Sequence, residues 1–205
     1  MFFRLFQSSF LHNKYEWGDS VQQQMLNKRA VSILIIILLC TFAVCFFTEK
    51  SSSYLEPQEA INAVEQDLLL IPAYIKNDDA LYFFIKDMNN LGVTYVQRGI
   101  VGWKAGILTW SSIDSNRNYD KFTGYKSQGE GLIYGLIKYE EDRIVKMNEN
   151  EAKYLKLDVM LPQKVVEEYK LEDLCIWYFE NATVSEEKTI ELISNTGKVI
   201  DFINL

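Results

Sequence analysis

The feature that most constrains this chain is an uncharged run from Ala30 to Phe47, AVSILIIILLCTFAVCFF, 18 residues long. An α-helix over that run rises about 27 Å, close to the roughly 30 Å hydrocarbon core of a bilayer. A helix also closes its own backbone hydrogen bonds, which a segment in lipid must do. Charge returns at once on both sides, with Lys28 and Arg29 before the run and Glu49 and Lys50 after it. A buried core helix seldom lacks any charge over about five turns, so the run predicts a transmembrane helix over 30–47. A cleaved signal peptide is the rival reading. Its apolar stretch is usually about 7–15 residues and its leading segment short, whereas 29 residues precede this run. Neither Cys40, after Leu38-Leu39, nor Cys45, after Ala43-Val44, has the neighbours a lipoprotein-type site wants. Ser51-Ser52-Ser53 passes as a small-residue site, so cleavage stays open; the expectation is an uncleaved anchor.

Charge sets the expected orientation. The 205 residues include 21 Lys and Arg against 28 Asp and Glu, a formal net charge of −7. Residues 1–29 sum to +2, from Arg4, Lys14, Lys28 and Arg29 against Glu16 and Asp19, which leaves −9 from residue 48 onward. Positive charge resists translocation, so the tail is expected in the cytoplasm and the acidic bulk outside, on a single-pass cell-membrane protein. The expected organisation is a short cytoplasmic tail at 1–29, the span at 30–47, a linker at 48–55 and an extracytoplasmic α+β domain at 56–205. An acidic domain lacks the basic face that displaces counterions from phosphates, which excludes a nucleic-acid binder. In the tail, Phe2, Phe6 and Phe10 recur every fourth residue with Arg4 and Lys14 nearby. On a helix they share a face that suits the inner membrane interface, and a frayed tail is the alternative.

Past the anchor the pattern changes twice. Pro57 suits a first helical turn, and Ala60, Ile61, Val64 and Leu68 follow at helical spacing, predicting an amphipathic helix from Glu56 to about Leu70. From Pro72 the runs become short, aromatic and β-branched, separated by turns such as Asn77-Asp78-Asp79 and Met88-Asn89-Asn90. That pattern predicts an antiparallel meander over Ala73–Lys76, Leu81–Lys86 and Gly92–Arg98. Two further strands are expected to flank Gly102-Trp103-Lys104. Leu132–Tyr139, Ile144–Met147, Lys153–Val159, Leu174–Glu180, Thr189–Ser194 and Lys198–Ile203 read as strands, and Gln163–Tyr169 as a helical turn. Asn195-Thr196-Gly197 is a compact hairpin signal. The fold class expected is therefore α+β, with a juxtamembrane amphipathic helix and a mainly antiparallel β ectodomain.

Several of these segments carry a resemblance. Asp79-Ala80-Leu81-Tyr82-Phe83-Phe84, Gly99-Ile100-Val101-Gly102-Trp103-Lys104, Gly131-Leu132-Ile133-Tyr134-Gly135 with Ile144-Val145-Lys146, and Trp177-Tyr178-Phe179 with Gly197-Lys198-Val199-Ile200 recur in order. This layout resembles uncharacterised small secreted or membrane-anchored extracytoplasmic proteins of Gram-positive, spore-forming bacteria. It spans roughly Asp79 to Ile200, and it implies location and fold without implying any chemistry. The 29-residue tail is longer than that group leads one to expect.

Few residues carry a chemical signature. Gly129-Glu130-Gly131 followed by Gly135 has one residue too many for a dinucleotide fingerprint and no βαβ unit around it. Asp114, Asn116, Asn118 and Asp120 match the first spacings of a calcium loop, but the sixth position is Tyr119 and the twelfth Tyr125, where Gly and a bidentate Glu belong. Glu140-Glu141-Asp142 beside Arg143 reads as a solvated turn rather than a catalytic carboxylate pair. Asn181-Ala182-Thr183 matches a glycosylation acceptor, which the resemblance to bacterial proteins implies is incidental. Trp103, Trp110 and Tyr95 at strand positions read as core more readily than as a stacking platform. Cys175 lies in an apolar run and the sole histidine, His12, is in the tail, so no thiol–imidazole pair is expected outside. No cofactor and no metal are expected.

One segment stands out for binding. Asp114 to Gly131 is polar and too long for a simple turn, and within it Tyr119, Phe122 and Tyr125 recur every third residue. Aromatic residues are favoured as interface anchors, which makes these three the candidate partner-binding residues. The competing explanation is that they tuck the loop against its own domain. The expected function is a non-enzymatic, membrane-anchored binding or sensing module, with the bilayer as one partner through 30–47 and a protein or envelope component as the other. A structural or accessory subunit of a membrane complex is the alternative. An envelope hydrolase ranks third, because residues 48–205 hold no His and no G-x-S-x-G motif.

Overall fold

The structure is a computed structural model that describes residues 31–50, 53–114, 116–129, 131–182 and 188–205. The tail phenylalanines, His12, the Lys28-Arg29 flank, Ser51-Ser52 and Thr183 of the acceptor pattern lie outside the described residues. The chain divides into two units, at 1–52 and 53–205.

In the first unit, helix α1 (Val31–Lys50) is long and apolar enough to cross a membrane, and none of its apolar window is buried by protein. Its two threonines leave no stranded hydroxyl, because Thr41 Oγ1 donates to the Ile37 carbonyl at 3.0 Å and Thr48 Oγ1 to that of Val44 at 3.0 Å. Such back-bonding to the preceding turn is how a hydroxyl is satisfied where no water is available.

The second unit is α+β and mainly antiparallel β. It opens with helix α2 (Pro57–Val64), which has Pro57 in its first turn and the Glu59 carboxylate accepting from the Glu56 N–H at 3.4 Å. The helix is shorter than the apolar spacing predicts. Glu65 is already extended, and Asp67 takes a left-handed backbone (φ 62°), so Leu68 leaves the helical register and the leucines after it enter a strand.

Thirteen strands among the described residues form three sheets. The first contains β1 (Leu69–Ile75), β2 (Asp79–Lys86), β3 (Asn90–Arg98), β4 (Trp103–Ala105) and β5 (Thr109–Ser112), with β3 receiving both β4 and β5. Pro72 sits inside β1 rather than ahead of it. A proline is tolerated there because β1 is an edge strand, and the register shifts just beyond it. Trp103 and Lys104, expected between two strands, themselves form β4.

The second sheet runs β10–β11–β7–β6, from β6 (Lys126–Gln128), β7 (Leu132–Lys138), β10 (Lys153–Lys156) and β11 (Leu174–Phe179). The third runs β13–β12–β8–β9, from β8 (Arg143–Met147), β9 (Asn150–Glu151), β12 (Thr189–Ser194) and β13 (Val199–Asn204). Between β10 and β11 lie two short helices, α3 (Leu157–Met160) and α4 (Gln163–Tyr169). The expected strand Lys153–Val159 therefore stops at Lys156, and the Leu161 N–H closes a helical turn on the Leu157 carbonyl at 3.0 Å.

Side-chain alternation stacks these elements in layers. Leu81, Phe83 and Ile85 of β2 meet Tyr134, Leu136, Ile176 and Tyr178 of the second sheet. On the other face of β2, Ala80 and Tyr82 meet Ala60 and Ile61 of α2. Ile133 and Ile137 of β7, with Cys175, Trp177 and Phe179 of β11, meet Val145, Ile190 and Leu192 of the third sheet. The second sheet is thus covered on both faces, which is why β7 and β11 read as unbroken apolar runs instead of alternating ones.

Two glycines make this packing possible. Gly135 pairs with Trp177 across β7 and β11, and a Cβ at Gly135 would lie 2.5 Å from the indole Cζ2. Gly92 stands in the same relation to Phe84, with a Cβ 2.2 Å from the ring Cζ. In each case the aromatic ring lies over the bare backbone of the neighbouring strand.

Candidate functional site

The 114–131 loop is fastened along its length. The Asp114 N–H donates to Tyr119 Oη at 2.9 Å, and the Asn116 N–H to Asp114 Oδ1 at 3.1 Å. Arg117 reaches across to the β2–β3 turn, donating through Nη2 to the Met88 carbonyl at 2.7 Å and to Asn89 Oδ1 at 3.1 Å. The Lys138 N–H donates to the Tyr119 carbonyl at 2.9 Å, and the Phe122 N–H to Asp201 Oδ2 at 2.9 Å. Arg143 holds the Asp120 carbonyl at 3.2 Å. The described residues of the segment cover the sheet ends, with β6 towards its far end.

The three candidate aromatics point inward to different extents. Tyr119 is 3% exposed and belongs to the core between the first and second sheets. Burial pushes its phenol pKa up, against the hydrogen bond from the Asp114 backbone. Phe122 is half-buried and lies edge-on to Trp177, with centroids 5.6 Å apart. Tyr125 is half-buried against the core between the second and third sheets. Their three-residue recurrence roots the loop, and what the loop presents outward is polar.

That outward face lines an open cleft of about 370 Å³ bounded by Asn116, Arg117, Asp120, Lys138, Lys170 and Asp173. Lys138 and Asp120 face each other across 3.9 Å. Asn116, Asn118 and Lys170 are exposed. The cleft offers amide, ammonium and carboxylate groups side by side, suited to hydrogen-bonded recognition of a polar partner. Lys138, Lys170 and Asp173 are contributions the loop pattern did not signal, since they come from β7 and from the link that leads into β11.

A second open cleft, about 440 Å³, lies beside the end of β11, lined by Lys76, Asn150, Lys153, Glu180 and Lys188 among others. Burial raises the Glu180 pKa, but hydrogen bonds from Lys153 and Tyr74 outweigh it and hold the carboxyl below its usual value. Lys153 forms an ion pair with this carboxylate. Tyr74 is shifted upward by burial and by the same carboxylate.

Lys126, in β6, donates through Nζ to the carbonyls of Ser111 at 3.0 Å and Ser112 at 3.2 Å, clasping the second sheet to β5. Burial lowers its ammonium to about 8. A depressed lysine binds its proton less readily folded than unfolded, so its contribution is lost as pH falls through about 8 and is complete above the ordinary value. Between pH 8 and 9.5 the wild type is therefore expected to gain thermal stability relative to Lys126→Met. Differential melting of the two proteins across that window checks it, and parallel curves would refute it.

The other sequence candidates resolve into structure. Among the described residues, no group of three or more His, Cys, Asp and Glu side chains is gathered to hold a metal ion. Asp114 of the calcium-like spacing instead closes a local turn on the Asn116 N–H. Glu140 pairs with Arg143 at 2.9 Å in the turn between β7 and β8. Trp103 is buried against α2, and Tyr95 packs on the opposite face of the first sheet. Trp110 carries Lys86 Nζ over its ring at 4.4 Å, so these three aromatics form no common platform. Cys175 is buried, and burial pushes its thiol up to about 12, far from a reactive thiolate.

Comparison with family models, with curated proteins and with solved structures found no match to this chain.

Proposed function

We propose that the chain is a non-enzymatic binding or sensing module held to the cell membrane by α1 as a single pass, with the N-terminus cytoplasmic and residues 53–205 extracytoplasmic. The resemblance to small envelope proteins of Gram-positive, spore-forming bacteria supports this location, as does the excess of Lys and Arg ahead of the span. The observation that carries the binding half is the fastened 114–131 loop. Backbone and arginine hydrogen bonds hold its described residues in place, yet its outer face is polar and open. A pre-ordered polar surface avoids the cost of ordering on binding, which suits recognition of a protein or envelope partner. The buried thiol at Cys175 supports a role without nucleophilic chemistry.

Protease added to wall-stripped cells is expected to digest residues 53–205 and spare the tail; a soluble fragment beginning near Glu49 or Tyr54 in the medium would overturn the anchor. For the binding half, the intact protein recovered from membranes is expected to retain a co-purifying partner that Asn116→Ala/Asn118→Ala/Lys170→Ala loses without a change in melting temperature. Turnover of wall or peptide substrates by the purified protein would instead make it an enzyme.

A further inference from the structure

The end of the first sheet where β3 passes into β4 exposes aliphatic side chains that the fold does not use. Ile100 is 91% exposed at the tip of a tight turn, closed by the Gly99 N–H on the Gly102 carbonyl at 2.8 Å. Turn tips ordinarily carry Gly, Asn, Asp, Ser or Pro, whose backbone preferences or polar side chains serve the turn, so a branched aliphatic here needs another explanation. Leu55 is 86% exposed. It follows directly on Tyr54, which exchanges both backbone hydrogen bonds with Trp103, at 3.0 and 2.8 Å, and so lies on the same rim as the turn. Ile75 is exposed at the end of β1, and the adjoining β1–β2 turn is tied to the base of the β3–β4 turn by the Arg98 N–H on the Asp78 carbonyl at 2.8 Å. Lys76 and Arg98 lie among these aliphatics, and so do Glu56, Asp78 and Asp79. The rim thus carries three exposed aliphatic side chains beside two basic and three acidic ones.

What covers this rim follows from the covalent chain. Only four peptide units separate Lys50, the last residue of α1, from Tyr54. Whatever their conformation, four units span at most about 14 Å. With α1 in a bilayer, Lys50 stands at its surface, and the headgroup region on each side is about 5–8 Å deep. Tyr54 is thus joined to Lys50 by a tether no longer than this.

We propose that the β3–β4 turn and Leu55 dip into the headgroup region of the same bilayer that α1 crosses, so that the lipid surface is a second docking partner of the domain. The inference rests on the reading of α1 as a membrane span. Leu55 and Ile100 are buried in the lipid interface, while Lys76 and Arg98 stay at headgroup level.

The test uses the full chain in phosphatidylcholine vesicles, with Cys40 and Cys45 replaced by alanine and Cys175 left buried. Single cysteines are placed by Ile100→Cys, Ile36→Cys and Val159→Cys and labelled with an environment-sensitive fluorophore. Val159 is 74% exposed on α3. That helix leads into α4, whose Tyr169 carbonyl shares Arg117 with Met88 at the opposite end of β3, so it serves as the water reference. The expected result is severalfold brighter, blue-shifted emission at residues 36 and 100, quenched by nitroxide-labelled lipid, and water-like emission at 159. Membrane-like emission at 36 with water-like emission at 100 would overturn the docking alone. Water-like emission at all three would overturn the span and the docking with it.

Discussion

Truncating Trp177 to alanine is expected to cost about 3–5 kcal/mol, the range for a large aromatic removed from a packed interior. The indole is fully buried, with Phe122 edge-on at 5.6 Å and Phe179 at 6.1 Å, and it rests on the backbone of Gly135. Gly135→Ala should also destabilise strongly, since the new methyl would meet Cζ2 at 2.5 Å and the ring has the third sheet behind it. The two changes should not add. In the double variant the methyl occupies space the indole has left, so the cost falls below the sum of the singles, which is the signature of contacting residues in a double-mutant cycle. Urea unfolding of the detergent-solubilised chain measures all three. Additive losses would mean that the ring is not held over Gly135.

The second large effect is expected at the roots of the 114–131 loop. Tyr119→Ser empties a site in the core between the first two sheets and removes the hydroxyl that accepts the Asp114 N–H at 2.9 Å. Together with Phe122→Ser, which strips the edge-on partner from Trp177, the loss should reach about 3–5 kcal/mol. Changing the exposed Asn116, Asn118 and Lys170 should alter stability by no more than about 0.5 kcal/mol. A melting temperature unmoved by the Tyr119/Phe122 pair would return these aromatics to the surface and make them contact residues for a partner.

The elements that sequence pattern reveals here are those whose signal is local. The uncharged run of α1 and the unbroken apolar runs of β2, β7 and β11 announce themselves, because burial on two faces, or in lipid, demands continuous hydrophobicity. Leu68 misleads because its helical spacing is real while Asp67, in a left-handed conformation, has already turned the chain. Leu157 to Val159 looks like strand by composition, yet Leu157 and Val166 are drawn into the core as parts of α3 and α4, and tertiary burial overrides the weak local preference. The loop aromatics are ambiguous in sequence for a different reason. Their partners, Trp177 and Asp201, are remote in sequence, and only the layering of three sheets brings them under the loop. The same holds for Lys170 and Asp173 of the cleft, which arrive through the connection between α4 and β11.

Strand β3 acquires a further meaning from what stands at its two ends. At Arg98 it meets the aliphatic rim, and at Asn90 it adjoins the Met88-Asn89 turn on which Arg117 fastens the loop. Nine residues of strand set these ends about 27 Å apart. β3 is thus a spacer that keeps the aliphatic rim and the polar cleft apart by that length, so that each surface can be engaged without the other.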